Sequence, residues 1–154
     1  MRRKEKEITD KKAIESIMKK AIVCRIALSD DNIPYIIPVI FGYRDNVLYF
    51  HSAPEGKKID ILKRNNNVCF EMDTGVEIKK EPKTPCSGTV IYNSVVGFGK
   101  AIFIEDPRKK REALDTIVQH YIPAKFFDYS EDLFNKTIVI KIEISSLTGK
   151  KSGY

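Results

Sequence analysis

The residues best suited to chemistry lie where one predicted strand ends and a predicted helix begins. His51 and Ser52 close the strand, Gly56 follows in the connection, and Lys57 and Lys58 occupy the first turn of the helix. A helix N-terminus already carries partial positive charge and ordinarily attracts Asp or Glu. An anion such as a phosphate would remove the conflict, because it would gain free backbone N–H groups, two ammonium groups and a hydroxyl. The alternative is a pair of solvated lysines on a short helix.

The neighbouring predicted strand carries two prolines, Pro34 and Pro38. Proline cannot donate to a ladder, so this strand is predicted to lie at a sheet edge or at a break in pairing. Backbone groups near Val39 and Ile40 would then be available to a ligand, and a planar apolar heteroaromatic ring with donors and acceptors along its edge would suit them. An ordinary edge strand is the alternative.

His51 is one of two histidines and lies between these two features. Its position suits a proton donor beside a bound ring, although a structural role is the common one for a lone histidine. His120, in the last turn of a later helix, is explained by a favourable interaction with the helix C-terminus and receives no functional role. Two glycine-containing stretches, 97–100 and 149–152, lack the context of a nucleotide-binding loop.

Composition bounds the class of protein. The chain has 154 residues, 42% hydrophobic and 31% charged, which predicts one soluble globular domain spanning 1–154. No apolar run approaches the roughly 20 residues of a membrane span, and the mixed-charge start is unlike a secretory signal, so a cytoplasmic protein is expected. The three cysteines form no C-x-x-C pair, which argues against disulfides and a metal site. A net charge of +6 permits an anionic ligand.

The periodicity predicts the elements that position these residues. A first helix begins at Thr9 or Asp10, a second fits Lys57–Arg64, and a third begins at Asp106-Pro107 and ends near Pro123. Strands are predicted over 22–28, 35–43 and 47–52 as a meander, then over 68–72, as a bent or bulged pair within 88–105, and over 138–144, with an exposed loop over 74–87.

Helices and strands do not alternate one to one, which disfavours a doubly wound parallel sheet. The fold class predicted is mainly β: an antiparallel β-barrel with peripheral helices, with about six or seven strands and three or four helices.

Several stretches together resemble the pyridoxamine 5′-phosphate oxidase-like superfamily of FMN-binding split barrels, and within it the 5-nitroimidazole resistance (Nim) branch. The most specific is Phe-His-Ser-Ala at 50–53 followed by Gly-Lys-Lys at 56–58. Residues 23–29, 34–39, 68–71, 92–101 and 147–150 add to it, so the resemblance extends over most of the chain, from about Ile8 to Lys150.

This resemblance implies a homodimer that holds FMN at two sites between the subunits. By matching position, Ser52, Lys57 and Lys58 would hold the phosphate and His51 would lie beside the isoalloxazine ring. Asn93 and Ser94 would reach the cofactor from the partner subunit. The ring would be lined by the backbone of Pro38, Val39, Ile40 and Phe41.

The chain departs from true pyridoxamine phosphate oxidases, which draw tryptophan and arginines from their C-terminal region. It has no Trp and no Arg after Arg111, so oxidation of pyridoxine phosphates is disfavoured. The Nim branch implies an oxidoreductase that passes electrons from reduced FMN to a small nitroaromatic or similar acceptor, with His51 as proton donor. A non-catalytic flavin carrier is the alternative, a nucleic-acid-binding barrel a more distant one, and haem or a deazaflavin could replace FMN.

Overall fold

The structure, a computed structural model, describes residues 3–78, 90–123 and 127–153. These residues form eight strands and four α-helices, after a short 3-10 turn at Lys4–Lys6. In chain order they are β1 (Glu7–Ile8), α1 (Lys11–Lys20), β2 (Cys24–Asp30), β3 (Ile33–Val39), β4 (Gly42–Arg44), β5 (Val47–Ser52), α2 (Lys57–Arg64), β6 (Asn67–Ile78), β7 (Val90–Phe103), α3 (Pro107–Tyr121), α4 (Glu131–Lys136) and β8 (Ile138–Ser152).

The strands form one antiparallel sheet in the order β3-β2-β6-β7-β8-β5-β4, with β1 added to β8. In the described part of the chain the path does not close, so β3 and β4 are its two ends. The mainly β, antiparallel architecture predicted from the sequence is confirmed, and the prolines of β3 do lie in an edge strand.

The predicted three-stranded meander is wrong. Its two turns are correct: Asp31 and Asn32, then Asp45 and Asn46, all have positive φ and join β2 to β3 and β4 to β5. The segment 35–43, however, is two strands that lie at opposite ends of the sheet. The chain leaves β3 after Val39 and starts β4 at Gly42, and this division, with the two-residue β1, raises the strand count to eight.

The long central strands also differ from expectation. β7 is one continuous strand instead of a pair, and its register against β8 shifts between Phe98 and Gly99, so the predicted bulge is confirmed. β6 continues to Ile78, which makes 74–78 strand where a loop was predicted. The remainder of that predicted loop, 79–87, lies outside the described residues.

The predicted helix starts are confirmed, because the expected side chains cap them. Asp10 accepts from the N–H of Ala13 at the start of α1, and Asp106 accepts from the N–H of Lys109 at the start of α3. Helix α2 has the predicted bounds. Among the described residues, no helix is both long and apolar enough to cross a membrane.

Apolar residues pack on both faces of the sheet. The larger cluster includes the fully buried Phe50, Phe70 and Ile140 and is covered at one side by α1 and α2. The smaller cluster joins α3 to the other face of β8 through Ile117 and Val139. On the final strand, Ile140 and Ile142 face the larger cluster and Val139 faces the smaller one, so both faces of β8 are buried where α3 covers it.

Candidate functional site

The predicted phosphate site lies at the end of β5 and the start of α2. Gly56 is the N-cap of α2 and has φ +118, a conformation that favours glycine. A Cβ at Gly56 would meet no atom within 4 Å, so the space beside the cap is open. Within the described chain, no neighbouring atom therefore covers the cap on the side where a Cβ would lie.

Helix α2 is the one α-helix of the described chain that no side chain caps. Asp10, Asp106 and Ser130 cap α1, α3 and α4 with their side-chain oxygens, whereas the cap of α2 makes no side-chain hydrogen bond. Its first turn starts with Lys57 and Lys58 and includes one acid, Asp60, which is exposed. The first N–H groups and the helix dipole are thus left for an anion from outside the helix.

Ser52 supplies the second, independent indication of a ligand. Its side chain is 5% exposed, and its Oγ has no hydrogen-bond partner among the described residues. A buried hydroxyl left without a partner costs free energy, so such groups usually serve a ligand, a water or a strained site. The residues present therefore fit an anionic group held between β5 and α2.

The two lysines are held near the sheet. The Lys57 ammonium lies 4.7 Å from the centre of the Tyr35 ring, on the edge strand β3. Lys58 is half-buried, and its charge acts on His51. Within the described chain neither lysine forms a salt bridge, so both charges are available to a ligand.

His51 lies next to Ser52 on β5, opposite Val139 of β8. Its side chain is partly open to solvent, and its ring nitrogens have no hydrogen-bond partner among the described residues. Apolar surroundings, and then the charge of Lys58, lower the pKa of His51 below its ordinary value. At neutral pH the ring is therefore uncharged and has one donor and one acceptor nitrogen.

The segment predicted to line a ring runs along the edge of the sheet and then turns inward. Pro38 is exposed and Ile40 is half-exposed, whereas the Phe41 side chain is fully buried. The Phe41 N–H donates to the Tyr121 hydroxyl at 3.0 Å, so this group is already used within the chain. A ligand lying along this segment would therefore meet Pro38, Val39 and Ile40, and Phe41 would support them from inside.

Asn93 and Ser94 lie far from this site along the sheet. They pair with Lys151 and Lys150 near the end of β8, whereas Ser52 pairs with Ile138 at its beginning. The path between these positions along β8 is roughly 40 Å at about 3.3 Å per residue. Strand register therefore does not bring Asn93 and Ser94 to Ser52 within one chain.

An apolar groove beside His51 was not predicted from the sequence. It has a volume of about 380 Å³ and lies between α3 and α4. Its walls include Ile40, Leu114, Val118, Ile122, Leu133 and Phe134. Leu114 and Val118 are four residues apart and therefore share one face of α3, but nothing local to α3 indicates that α4 would leave part of that face uncovered.

His120, which received no functional role, makes structural contacts, and Cys24 belongs to the core. A ring nitrogen of His120 lies 2.7 Å from the carbonyl oxygen of Ala21, and the ring packs on Phe41. Cys24 is free and buried, and burial raises the pKa of its thiol to about 12. Among the described residues, no group of three or more His, Cys, Asp or Glu could hold a metal ion.

Comparison with known proteins gives one family and a consistent fold. Residues 10–151 match the pyridoxamine 5′-phosphate oxidase family. A structure from Bacteroides thetaiotaomicron, described as that of a candidate 5-nitroimidazole antibiotic resistance protein, is 40% identical, with a TM-score of 0.85 over 96% of this chain and 87% of that one. A search of curated proteins finds no match.

Two more distant structures share the fold at low identity. The flavocytochrome Anf3 from Azotobacter vinelandii is 17% identical, with a TM-score of 0.86 over 100% of this chain and 72% of that one. An FAD- and heme-binding protein from Mycobacterium smegmatis is 18% identical, with a TM-score of 0.86 over 97% and 74%. These likenesses confirm the predicted split β-barrel.

Proposed function

We propose that this chain, which belongs to the pyridoxamine 5′-phosphate oxidase family, is a flavoprotein that binds FMN at the start of α2 and reduces a small aromatic acceptor. The observation that carries the proposal is the buried Ser52 hydroxyl, which has no partner among the described residues, beside a helix start that has no side-chain cap and bears Lys57 and Lys58. This combination matches the acceptor oxygens and negative charge of a phosphate.

The other residues of the site would complete the binding of the flavin. Pro38, Val39 and Ile40 offer an apolar edge along which a flat ring can lie, and His51 stands between that edge and the phosphate site. Bound FMN would supply the electron transfer, and the protein would position and shield it. The uncharged His51 ring can donate a hydrogen bond from its N–H to an acceptor placed beside it.

We further propose that the protein acts as a homodimer with a site at each subunit interface. Ile33 and Ile36 of the edge strand β3 and Ile40 just after it are exposed, and a group of exposed apolar residues supports an interaction surface there. Asn93 and Ser94, at the far end of β8, would serve the site of the other subunit. Coexpression of an Asn93→Ala chain with a Lys57→Ala/Lys58→Ala chain tests this, because a mixed dimer would retain one intact site.

The decisive experiment is the absorption spectrum of the freshly purified protein. We expect flavin bands, released by denaturation as FMN, and their loss in the double variant Lys57→Ala/Lys58→Ala. The matched control is Lys19→Ala/Lys20→Ala, which removes the same charge from the last turn of α1, where lysines favour the helix. Equal flavin content in the two double variants would refute the phosphate site.

The reductase activity needs its own measurement. FMN-loaded protein with a chemical or enzymatic electron donor should consume a nitroaromatic acceptor, and His51→Gln should slow turnover while leaving the flavin bound. If the loaded protein never passes electrons to any such acceptor, the enzymatic part of the proposal is wrong. A flavin carrier without dedicated catalysis would then be the function.

A further inference from the structure

The apolar groove beside His51 has the size of a small-molecule site. Its volume of about 380 Å³ falls within the roughly 300–1,000 Å³ usual for such sites. Its walls come from the apolar face of α3, from helix α4 and from the end of β5. Helix α4 has no buried residue, and its Leu133 and Phe134 form the wall opposite α3.

The hydrogen-bonding capacity of the walls is almost entirely used. The Tyr121 hydroxyl donates to the carbonyl of Ile22, the Tyr129 hydroxyl donates to Asp115, and the Thr137 hydroxyl donates to the carbonyl of Leu133, each at 2.8 Å. Among the described residues that line the groove, no Asp, Glu, Lys or Arg is present. His51 is the one lining side chain whose hydrogen-bonding atoms have no partner in the described chain.

We propose that this groove binds the aromatic acceptor, and that it selects an uncharged, largely apolar molecule with a single polar group placed at His51. A carboxylate or phosphate buried there would meet no cationic side chain in the described lining, since Lys110 and Arg111 lie against the Phe134 ring, 4.3 and 5.1 Å from its centre, and an unpaired buried charge is costly. An apolar ring would remove the exposed surface of Leu133 and Ile122 from water. The inference rests on the proposed flavin function and adds to it the class of acceptor.

The phosphate-binding and acceptor-binding regions would thus be chemically distinct although they adjoin at His51. Lys57 and Lys58 do not line the groove and lie at the start of α2, although the charge of Lys58 also acts on His51 at the edge of the groove. This separation explains how one small barrel could bind an anionic cofactor and exclude anionic acceptors. The absence of cationic side chains from the described lining also predicts that pyridoxine phosphates bind poorly in the groove.

The test compares two probes of the same ring size, 2-naphthol and 2-naphthoate, by calorimetric titration of the purified protein. We expect saturable binding of 2-naphthol and at least about 10-fold weaker binding of 2-naphthoate, a difference of about 1.4 kcal/mol. 2-Naphthol should also inhibit turnover of a nitroaromatic competitively. Equal affinities, or no saturable binding of 2-naphthol, would overturn the inference.

Matched variants locate the binding. Leu133 is 66% exposed on the groove wall and Val76 is 58% exposed on β6, so an aspartate at either position should leave folding intact. Leu133→Asp should weaken 2-naphthol binding at least about 10-fold, and Val76→Asp should not change it. If Leu133→Asp instead dissociates a dimer and leaves probe binding unchanged, a second copy covers the groove and the inference is wrong.

Failure of this inference can be told from failure of the flavin proposal. The flavin bands of the same samples report cofactor binding independently of the probe. Flavin bands without 2-naphthol binding would overturn the groove assignment alone. Binding of 2-naphthol with no flavin would support the groove as a site for neutral apolar molecules and refute the flavin function.

Discussion

The backbone N–H of Phe41 donates to the hydroxyl of Tyr121 across 3.0 Å, although 80 residues separate them in the chain. The same hydroxyl donates to the carbonyl of Ile22 at 2.8 Å. One phenol thus joins the last turn of α3 to the chain between β3 and β4 and to the chain before β2. The position of the segment proposed to line the flavin ring therefore depends on α3.

Tyr121→Phe should lower the free energy of unfolding by about 1–3 kcal/mol, because it removes two hydrogen bonds and leaves a backbone donor and acceptor without this partner. It should also weaken flavin binding, since residues 38–41 lose their support. Urea unfolding and flavin titration measure the two effects. The control is Tyr129→Phe, which removes the hydrogen bond to Asp115 and should lower stability without weakening flavin binding. A Tyr121→Phe protein with unchanged flavin affinity would contradict this role.

Ser52→Ala should act in opposite directions on the free and the flavin-bound protein. In the free protein the buried hydroxyl has no partner in the described chain, so its removal should leave the free energy of unfolding unchanged or raise it by up to about 1 kcal/mol. With FMN present, the lost hydrogen bond to phosphate should weaken binding about 10-fold. Thermal unfolding with and without FMN gives both values. A destabilised free protein would mean that Ser52 already has a partner.

Gly42→Ala should destabilise the protein by about 1–3 kcal/mol, because the added methyl would lie 2.6 Å from the backbone carbonyl of Thr116 in α3. Because the close contact is with backbone atoms, shortening the Thr116 side chain cannot relieve it, and Thr116→Ala should not restore stability. Gly97→Ala is the comparison, because its added Cβ would meet a side chain instead of backbone, 2.2 Å from the Phe70 ring. There, Phe70→Leu in the same chain should restore part of the loss, as measured by urea unfolding.

The pH dependence of stability should report the surroundings of His51. Because its pKa is lowered from 6.5 in the folded protein, the unfolded chain binds more protons just below pH 6.5. The free energy of unfolding should therefore fall as the pH is lowered through this range. His51→Gln should make that fall shallower, and Lys58→Gln should shift the His51 titration upward when followed by NMR. A steeper fall in His51→Gln would contradict the assignment.

Local sequence determined the features that depend on neighbouring residues. Asp10 and Asp106 predicted two helix starts because an N-cap acts within three residues, and the bounds of α2 followed from its own short pattern. The prolines of β3 predicted an edge strand because proline has no backbone N–H to donate to a second neighbouring strand. The family resemblance, confirmed over residues 10–151, rests on such short stretches as well.

Tertiary structure decided what depends on distant residues. The segment 35–43 reads as one strand, but burial of Phe41 and the close approach of α3 to Gly42 divide it between the two ends of the sheet. The Ser52 hydroxyl, which has no partner in the described part of the chain, and the groove between α3 and α4 arise in the same way, since both depend on which groups other elements bring near. Spacing within an element sets its faces, whereas packing between elements decides which of those faces and polar groups are left for a ligand.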